Sequence, residues 1–373
     1  MADQYTEIKK TGYGSRIVNS FVGILVAIVL IVGSVWVLFS NEGRVDMSKI
    51  AGSSLEISSD KAPTDQSLNR RLVSTTGVLS SNQLLGDNLY LKPGRSIVLD
   101  RKVEMCSWVE EKASKSKKEL GGSETEEITY TYKKKWINDP PDSANFRYPE
   151  GHANPERALS DEHLKVEQAK VGLYEIDTGM VNFPALAPVQ LNAQKVNLTG
   201  GVVLASSRYL FSGKGKINAP EIGDIRISYT ALPEGSKVTV FGKLTENAIV
   251  PYLDTKNNRL YRMFYGARDE AISAMQGEYK TMGWIMRILG FLMMWIGFTM
   301  IFEPLSVLLD ILPLFGTVSR FMVGAITFVA ALILSIIIVI VSMIVHNIVA
   351  LLIVLAIVIA AAAWSITQKK KKV

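Results

Sequence analysis

Glu104, Trp108 and Glu110 stand at even spacing in a stretch that alternates apolar and polar residues, so on a strand they share one face. Two carboxylates placed that way can work as general acid and base. That chemistry asks for a third group beside them, a histidine or a metal-ligand set, and none is near. The stronger reading is a sheet face packed on a neighbour, with Trp108 as filler. His152 lies between Gly151 and Asn154-Pro155, where a ring nitrogen can bond the backbone of a turn. The chain has 3 histidines, His152, His163 and His346, far apart and without zinc-ligand spacing. Its 1 cysteine, Cys106, excludes an intrachain disulfide. In the stretch Pro220-Glu221-Ile222-Gly223-Asp224-Ile225-Arg226, Gly223-Asp224 reads as a turn entering a strand, with Asp224 and Arg226 as a local ion pair. These patterns lead to the expectation of no catalytic residue, no metal site and no cofactor, hence no enzyme.

The elements that carry these residues divide by hydropathy. A hydrocarbon core of about 30 Å needs roughly 20 apolar residues per helical crossing. Residues 17–40, 281–302, 321–345 and 348–367 each meet that length and are predicted transmembrane helices. The first is read as a retained anchor, because its apolar core is longer than that of a signal peptide. Lys9, Lys10 and Arg16 precede it, and a basic tail at 368–373 follows the last. Positive charge on the cytoplasmic side puts 1–16 and 368–373 there, and four crossings agree. Residues 41–280 then form a lumenal or periplasmic domain, and 303–320 a cytoplasmic interfacial segment. The formal net charge of +6 is modest for 373 residues and marks no nucleic-acid footprint. The terminal lysines fit a basic anchor better than a retrieval signal, and Asn197-Leu198-Thr199 is a glycosylation acceptor only in a eukaryote.

Within 41–280, period-two alternation dominates, at 96–109 and 127–136 among others. Residues 225–231 and 237–244 read as a hairpin around Pro233-Glu234-Gly235-Ser236, and 248–253 with 259–265 as a second. A charged helix is expected over 155–169, and a solvated loop over 113–127. Residues 269–280 are helical in pattern and run into the second apolar stretch. Glu303-Pro304 is expected to end that helix. Residues 305–315 then lie in the interface, with Leu305, Leu308, Leu309 and Leu312 in lipid and Asp310 toward the headgroups. Arg287, Glu303, Asp310 and Arg320 are read as interface charges, Arg320 pairing with Asp310 or Glu303. After the first helix comes Asn41-Glu42-Gly43-Arg44: Gly43 can take positive φ, Asn41 and Glu42 can bond free backbone groups, and Arg44 can reach a lipid phosphate or a carboxylate. The fold class is an α+β membrane protein: four transmembrane helices, one N-terminal and three C-terminal, around a large β-rich extracytoplasmic domain.

Several of these motifs, in this order, resemble the transmembrane protein 43 (LUMA) family: Asn41-Glu42-Gly43-Arg44, the strand Arg101-Lys102-Val103-Glu104-Met105-Cys106-Ser107-Trp108-Val109-Glu110, Tyr130 with Tyr132, the Gly151–Pro155 turn, and Pro220 to Arg226. The one-plus-three helix layout is similar too. The resemblance implies a scaffold of the ER and inner nuclear membrane in a eukaryote, or of the inner membrane in a bacterium. It also implies self-association and binding of other membrane or envelope proteins. The expected function is an integral membrane scaffold organising such a complex through its extracytoplasmic domain, a homo-oligomer in the lipid bilayer that contacts other membrane proteins and no nucleic acid. A channel, transporter or channel-regulatory subunit is the alternative, with a membrane-bound enzyme behind it.

Overall fold

The computed structural model describes residues 3–61, 66–311, 313–347, 351–353 and 356. The chain divides into two compact units: Met1–Thr6, Asp46–Ala113 and Thr129–Gln276 form the first, and Glu7–Val45, Ser114–Ile128 and Gly277–Val373 the second. In chain order the strands are β1 (Asp3–Thr11), β2 (Leu55–Ser58), β3 (Leu72–Ser80), β4 (Ser96–Lys118), β5 (Glu124–Ile137), β6 (Glu162–Lys165), β7 (Gln168–Val171), β8 (Tyr174–Asp177), β9 (Ala187–Pro188), β10 (Val203–Leu204), β11 (Leu210–Ser212), β12 (Ile225–Pro233), β13 (Lys237–Thr245), β14 (Ala248–Val250), β15 (Tyr252–Leu253), β16 (Arg259–Leu260) and β17 (Arg262–Tyr265). The helices are α1 (Tyr13–Glu42), α2 (Met47–Gly52), α3 (Arg268–Leu309) and α4 (Pro313–His346).

The first unit is built on two sheets. One runs β1-β5-β4-β12-β11-β10, with β6 on β4 and β9 on β12. In the other, β13 pairs with β14, β14 with β8, β8 with β7, β7 with β3, and β3 again with β13, so the pairings close a five-strand ring. Alternation explains the ring: Val73, Val171, Ile176, Val238, Val240 and Ile249 all turn inward and are fully or nearly fully buried. Ile97, Val98 and Leu232 from the first sheet join the same core. A second core, around Leu99, Val103, Leu210, Ile227 and Tyr229, supports the first sheet. A third gathers Ala51, Leu72, Phe241, Leu260 and Phe264 around Ala271 and Met275, the first turns of α3.

Several expectations change here. Residues 155–169 form no helix; β6 and β7 take their place, with His163 opposite Asp100 on β4. Glu-His-Leu-Lys alternates as an edge strand does, and a distant partner decided it. The turn at 233–236 joins two strands in different sheets, β12 and β13, so it is a corner and not a hairpin. The second expected hairpin survives only as the short β15–β16 ladder. Over 113–127 the strands run on to Lys118 and resume at Glu124, leaving a five-residue tip in place of a long loop. Residues 1–16 are more than a charged lead-in, since Asp3–Thr11 is a strand.

Among the described residues three helices are long and apolar enough to cross a membrane, and they make up most of the second unit. Their packing follows from glycine. Gly283, Gly290 and Gly297 recur every seventh residue on α3. A Cβ at Gly290 would meet Leu38 at 2.5 Å, and one at Gly297 would meet Ile31 at 2.7 Å. Small residues let helix backbones approach where no water drives association. Trp295 Nε1–H donates to the Gly324 carbonyl (3.1 Å), and Thr299 meets Thr327 (3.1 Å), tying α3 to α4. The Ser342 hydroxyl donates to the Phe39 carbonyl (2.6 Å), tying α4 to α1. Val18, Phe21, Val22, Leu25, Val29, Val32 and Trp36 form an exposed apolar stripe on α1 at helical spacing.

α3 does not stop at Pro304; it continues to Leu309. The interfacial segment expected over 305–315 is therefore the last turns of α3, a short turn, and the start of α4 at Pro313, where a missing N–H costs nothing. Leu312, the expected fourth helix at 348–367 and the tail at 368–373 lie outside the described residues, a few isolated positions excepted.

Candidate functional site

The residues singled out for chemistry fall into separate clusters, three of them in the first unit. β4 brings Trp108 and Glu110 beside Tyr132 of β5, and the loop after β5 adds Phe146, Tyr148 and His152. The His152 ring is buried, stacked on Tyr132 (3.9 Å between centroids, 19°) and edge-on to Trp108 (4.9 Å). Its Nδ1 lies 3.0 Å from the Tyr148 carbonyl, the turn bond expected of it. Asn154 fixes the loop to β4: the Trp108 N–H donates to Asn154 Oδ1 (2.7 Å), and Asn154 Nδ2 donates to the Trp108 carbonyl (3.0 Å). The Tyr132 hydroxyl donates to Glu110 and accepts the Tyr148 N–H (2.8 Å), while the Arg147 N–H donates to Glu110 Oε2 (2.6 Å). Burial first, and then the Glu110 carboxylate, push the Tyr132 phenol up to about 12. Glu110 is thus a hydrogen-bond anchor for an aromatic box. Asp3 and Tyr5 of β1 close the box. Tyr5 stacks on Tyr148 (4.4 Å, 19°) and meets Tyr132 edge-on (6.0 Å), and Asp3 Oδ2 lies 3.2 Å from His152 Nε2.

Glu104 belongs elsewhere. It pairs with Arg226 across β4 and β12 (2.7 Å), at register partners of the ladder. The Arg226 guanidinium also lies over the rings of Trp136 (4.9 Å) and Tyr209 (4.7 Å). Both residues line a polar groove of about 850 Å³ with Asp100, Lys102, Asp161 and His163. The expected Asp224–Arg226 pair is not formed. Asp224 is buried and accepts backbone N–H groups of Lys214 (2.8 Å), Gly215 (3.1 Å) and Glu221 (2.8 Å), which shapes the loop ahead of β12. Gly223, at φ +93°, makes that turn, and Glu221 contributes its backbone to it. Glu104, Glu110, His152 and Asp224 therefore do not meet in one pocket.

A third network escaped the sequence reading. Asp87 is 2% exposed and Arg101 5%, and they pair at 3.1 Å, with the Tyr229 hydroxyl donating to the same Asp87 oxygen. Oδ1 of Asp87 accepts the N–H groups of Leu89 (3.0 Å), Tyr90 (2.8 Å) and Leu91 (2.7 Å). Burial works to raise this carboxyl. The bonds from Tyr229, Leu91, Arg101 and Tyr90 outweigh it and hold the group below its ordinary value. The signal was present: Arg101 sits between Leu99 and Val103 on the inward face of β4, where a charge needs a buried partner.

The second unit carries a charge cluster at each end of its helices. At one end Arg287 donates to Glu42 from Nε and Nη2, at 2.8 Å each. Asn41 Nδ2 donates to the Gly283 carbonyl (3.2 Å), and Arg44 donates to Asn41 Oδ1 (3.0 Å) and the Tyr279 carbonyl (3.1 Å). Arg44, half-buried, is thus bonded to Asn41 and Tyr279 and not to a carboxylate. Gly43 has φ −86°, not the positive value expected; its use is close approach, since a Cβ there would meet His346 at 2.4 Å. At the other end Asp310 is fully buried and does not point outward. Arg16, Arg320 and Lys118 (3.0 Å) all converge on its Oδ2. Arg16 also pairs with Glu124 (3.0 Å) and Arg320 with Glu303 (3.8 Å), so three cations meet three carboxylates. Arg320 was expected to choose between Asp310 and Glu303; it contacts both. Among the described residues no cluster of histidine, cysteine and acidic side chains could hold a metal ion.

Comparison with known proteins places these features. The profile described as Transmembrane protein 43 matches residues 105–348. The Transmembrane protein 43 of Mus musculus is 25% identical over 349 residues, covering 87% of this chain and 85% of that protein. That of Rattus norvegicus is 26% identical with the same coverage. The Transmembrane protein 43 homolog of Drosophila melanogaster is 26% identical over 245 residues, 62% of this chain and 63% of its own length. No solved structure matches the chain.

Proposed function

The chain belongs to the transmembrane protein 43 family, and from that premise we propose that it is an integral membrane scaffold, self-associating through its helices and holding other membrane proteins through its β-rich domain. The observation that carries this reading is the use made of charge. Glu42 and Arg287 neutralise one another at one end of the helices, and Arg16, Asp310, Arg320 and Glu303 do so at the other. Between the two ends the α1 surface is an apolar stripe. Charges consumed in this way anchor and register helices; a conduction path needs them turned toward water. The domain in turn offers aromatic and paired polar groups on a rigid sheet, a surface suited to binding a partner protein.

The test is association in the membrane. Copies carrying two different tags are co-expressed, crosslinked in native membranes and recovered through one tag. The second tag is expected in the product, at a yield independent of dilution with added lipid. Monomer alone at every dilution sinks the proposal. One observation favours the channel-regulatory reading instead: a cavity of about 370 Å³ lined by Arg16, Asn19, Ser20, Glu124, Glu126 and Glu303. Ion flux through proteoliposomes of the purified chain, abolished by Glu303→Gln, would move the conclusion to that class.

A further inference from the structure

Lys92 and Lys195 stand directly across from one another in the first unit. Leu91 and Val196 form an antiparallel bridge, and the two lysines are the next pair along it, the Lys92 N–H donating to the Lys195 carbonyl (2.9 Å). Opposite residues of such a ladder share a face, and like charges placed there repel. Both side chains are exposed. Lys92 Nζ donates to the Gln194 carbonyl (3.0 Å) and Lys195 Nζ to the Gln190 carbonyl (3.1 Å). Among the described residues no carboxylate pairs with either ammonium. Other cations of this unit are matched across their ladders: Lys133 and Lys135 meet Glu111, and Arg226 meets Glu104.

The two lysines line one cavity of about 500 Å³, within the range of small-molecule sites. No acidic residue lines it. Arg95 is a third cation there, 78% exposed and answered by Glu234 (3.2 Å), so two positive charges are left without a counterion. The floor is apolar for a reason visible in the register. Leu99 of β4 lies opposite Ala231 of β12, and Ala231 lies opposite Ala187 of β9, so the three form a row on one face of the sheet. The two alanines leave a hollow that larger side chains would fill. One wall is fixed by main-chain bonds in both directions between Leu85 and Gly94 (3.0 and 2.8 Å), and Pro188 presents no N–H to an occupant. A small inorganic anion would leave this floor unused. A neutral hydrocarbon would leave the two ammonium groups opposed.

We propose that the cavity binds a single-chain anionic amphiphile, its carboxylate or phosphate between Lys92 and Lys195 and its alkyl chain over Leu99, Ala231 and Ala187. The anion relieves the repulsion between the lysines and gains charge-assisted hydrogen bonds, and the chain covers apolar surface. The site is independent of association through the helices.

The experiment uses the full chain in phosphatidylcholine nanodiscs and a dodecanoate carrying a diazirine on its alkyl chain. Adducts are mapped by mass spectrometry, which separates probe in the cavity from probe dissolved in the bilayer. They are expected within residues 85–99 and 187–195. Excess dodecanoate or dodecyl phosphate should displace the label, the stronger competitor telling a free fatty acid from a lysophospholipid headgroup. Dodecanol and dodecyltrimethylammonium at the same concentration should not. Lys92→Gln with Lys195→Gln should cut labelling about tenfold or more at limiting probe, without lowering the melting temperature, because the repulsion is gone as well. Lys92→Arg with Lys195→Arg keeps both charges and should keep the label. Ala187→Phe fills the hollow from its exposed side and should lose it. Absence of adducts in the two segments, equal displacement by dodecanol, or full labelling of the double glutamine chain overturns the proposal.

Discussion

Replacing Asp87 by alanine should be among the most damaging single changes in the β-rich unit. The side chain is 2% exposed and accepts five hydrogen bonds: three from the amides of Leu89, Tyr90 and Leu91, one from Arg101 and one from Tyr229. Its removal leaves Arg101, itself 5% exposed, with only the half-exposed Glu162 as an ionic partner. Breaking a buried pair by deleting one member costs about 3–5 kcal/mol, because the surviving charge stays buried. Each kcal/mol lowers the melting temperature of a unit this size by about 2–4 °C, so a drop of roughly 6–20 °C is expected. Asp87→Asn keeps an acceptor for the amides and loses the charge, and should fall between the variant and the native chain. The pH dependence follows from linkage. The folded carboxyl lies below its ordinary value, so the native state binds fewer protons than the unfolded state in that window. The stabilisation is then complete above about pH 4 and fades as pH falls further, through the folded value. The assay is thermal unfolding of the full chain in detergent, followed by tryptophan fluorescence at pH 7 and at steps down to pH 3. The gap between native and Asp87→Asn chains should narrow only below pH 4. An Asp87→Ala chain melting within 2 °C of native, or a gap constant with pH, refutes the reasoning.

Glu42→Ala and Arg287→Ala should each destabilise the helical unit, with the double variant little worse than either; a coupling of about 0.5–3 kcal/mol in a double-mutant cycle is expected, and strict additivity would show that the pair does not act as one. Gly172 has φ +58°, and a Cβ there would come 2.2 Å from the Ser59 carbonyl, so Gly172→Ala should cost more than about 1 kcal/mol, read as a lower melting point, whereas Gly121→Ala, with φ +85° and open space around the added Cβ, should cost less, only the strain of its backbone conformation. Trp108 is half-buried against His152, so Trp108→Ala should cost less than the roughly 3–5 kcal/mol of a core tryptophan; a melting loss as large as that of Asp87→Ala would mean the box is part of the central core.

What could be read in the sequence was whatever depends on neighbours along the chain. The apolar runs at 17–40, 281–302 and 321–345 announce helices by length alone. The strands at 225–233 and 237–245 follow from alternation. What could not be read was pairing at long range. The turn at 233–236 looks the same whether its strands pair or part to different sheets, and the cores behind them decide which. Asp310 looks like a headgroup contact because two of its three cations are far off in sequence: Arg16 lies 294 residues away and Lys118 lies 192. The aromatic box was half legible. In the sequence Glu104, Trp108 and Glu110 read as one strand face and His152 as a separate turn residue; Tyr132 stands out only as a motif residue, and Asp3 and Tyr5 not at all. Period-two reasoning assigns faces; it does not say which strand lies across the ladder.

The seven-residue recurrence of Gly283, Gly290 and Gly297 sets how this helix can change over evolutionary time. At each glycine a side chain of α1 or of the link just after it lies against the α3 backbone: Arg44 of the link at the first, Leu38 of α1 at the second, Ile31 of α1 at the third. Exchanging one apolar side chain for another elsewhere on the helix leaves those three seats intact, so composition is free to drift. Length is not. One residue gained or lost between the first glycine and the last turns everything beyond it by about 100° and swings a side chain into a place cut for a hydrogen atom. Such a helix tolerates a change of residue far better than a change of length.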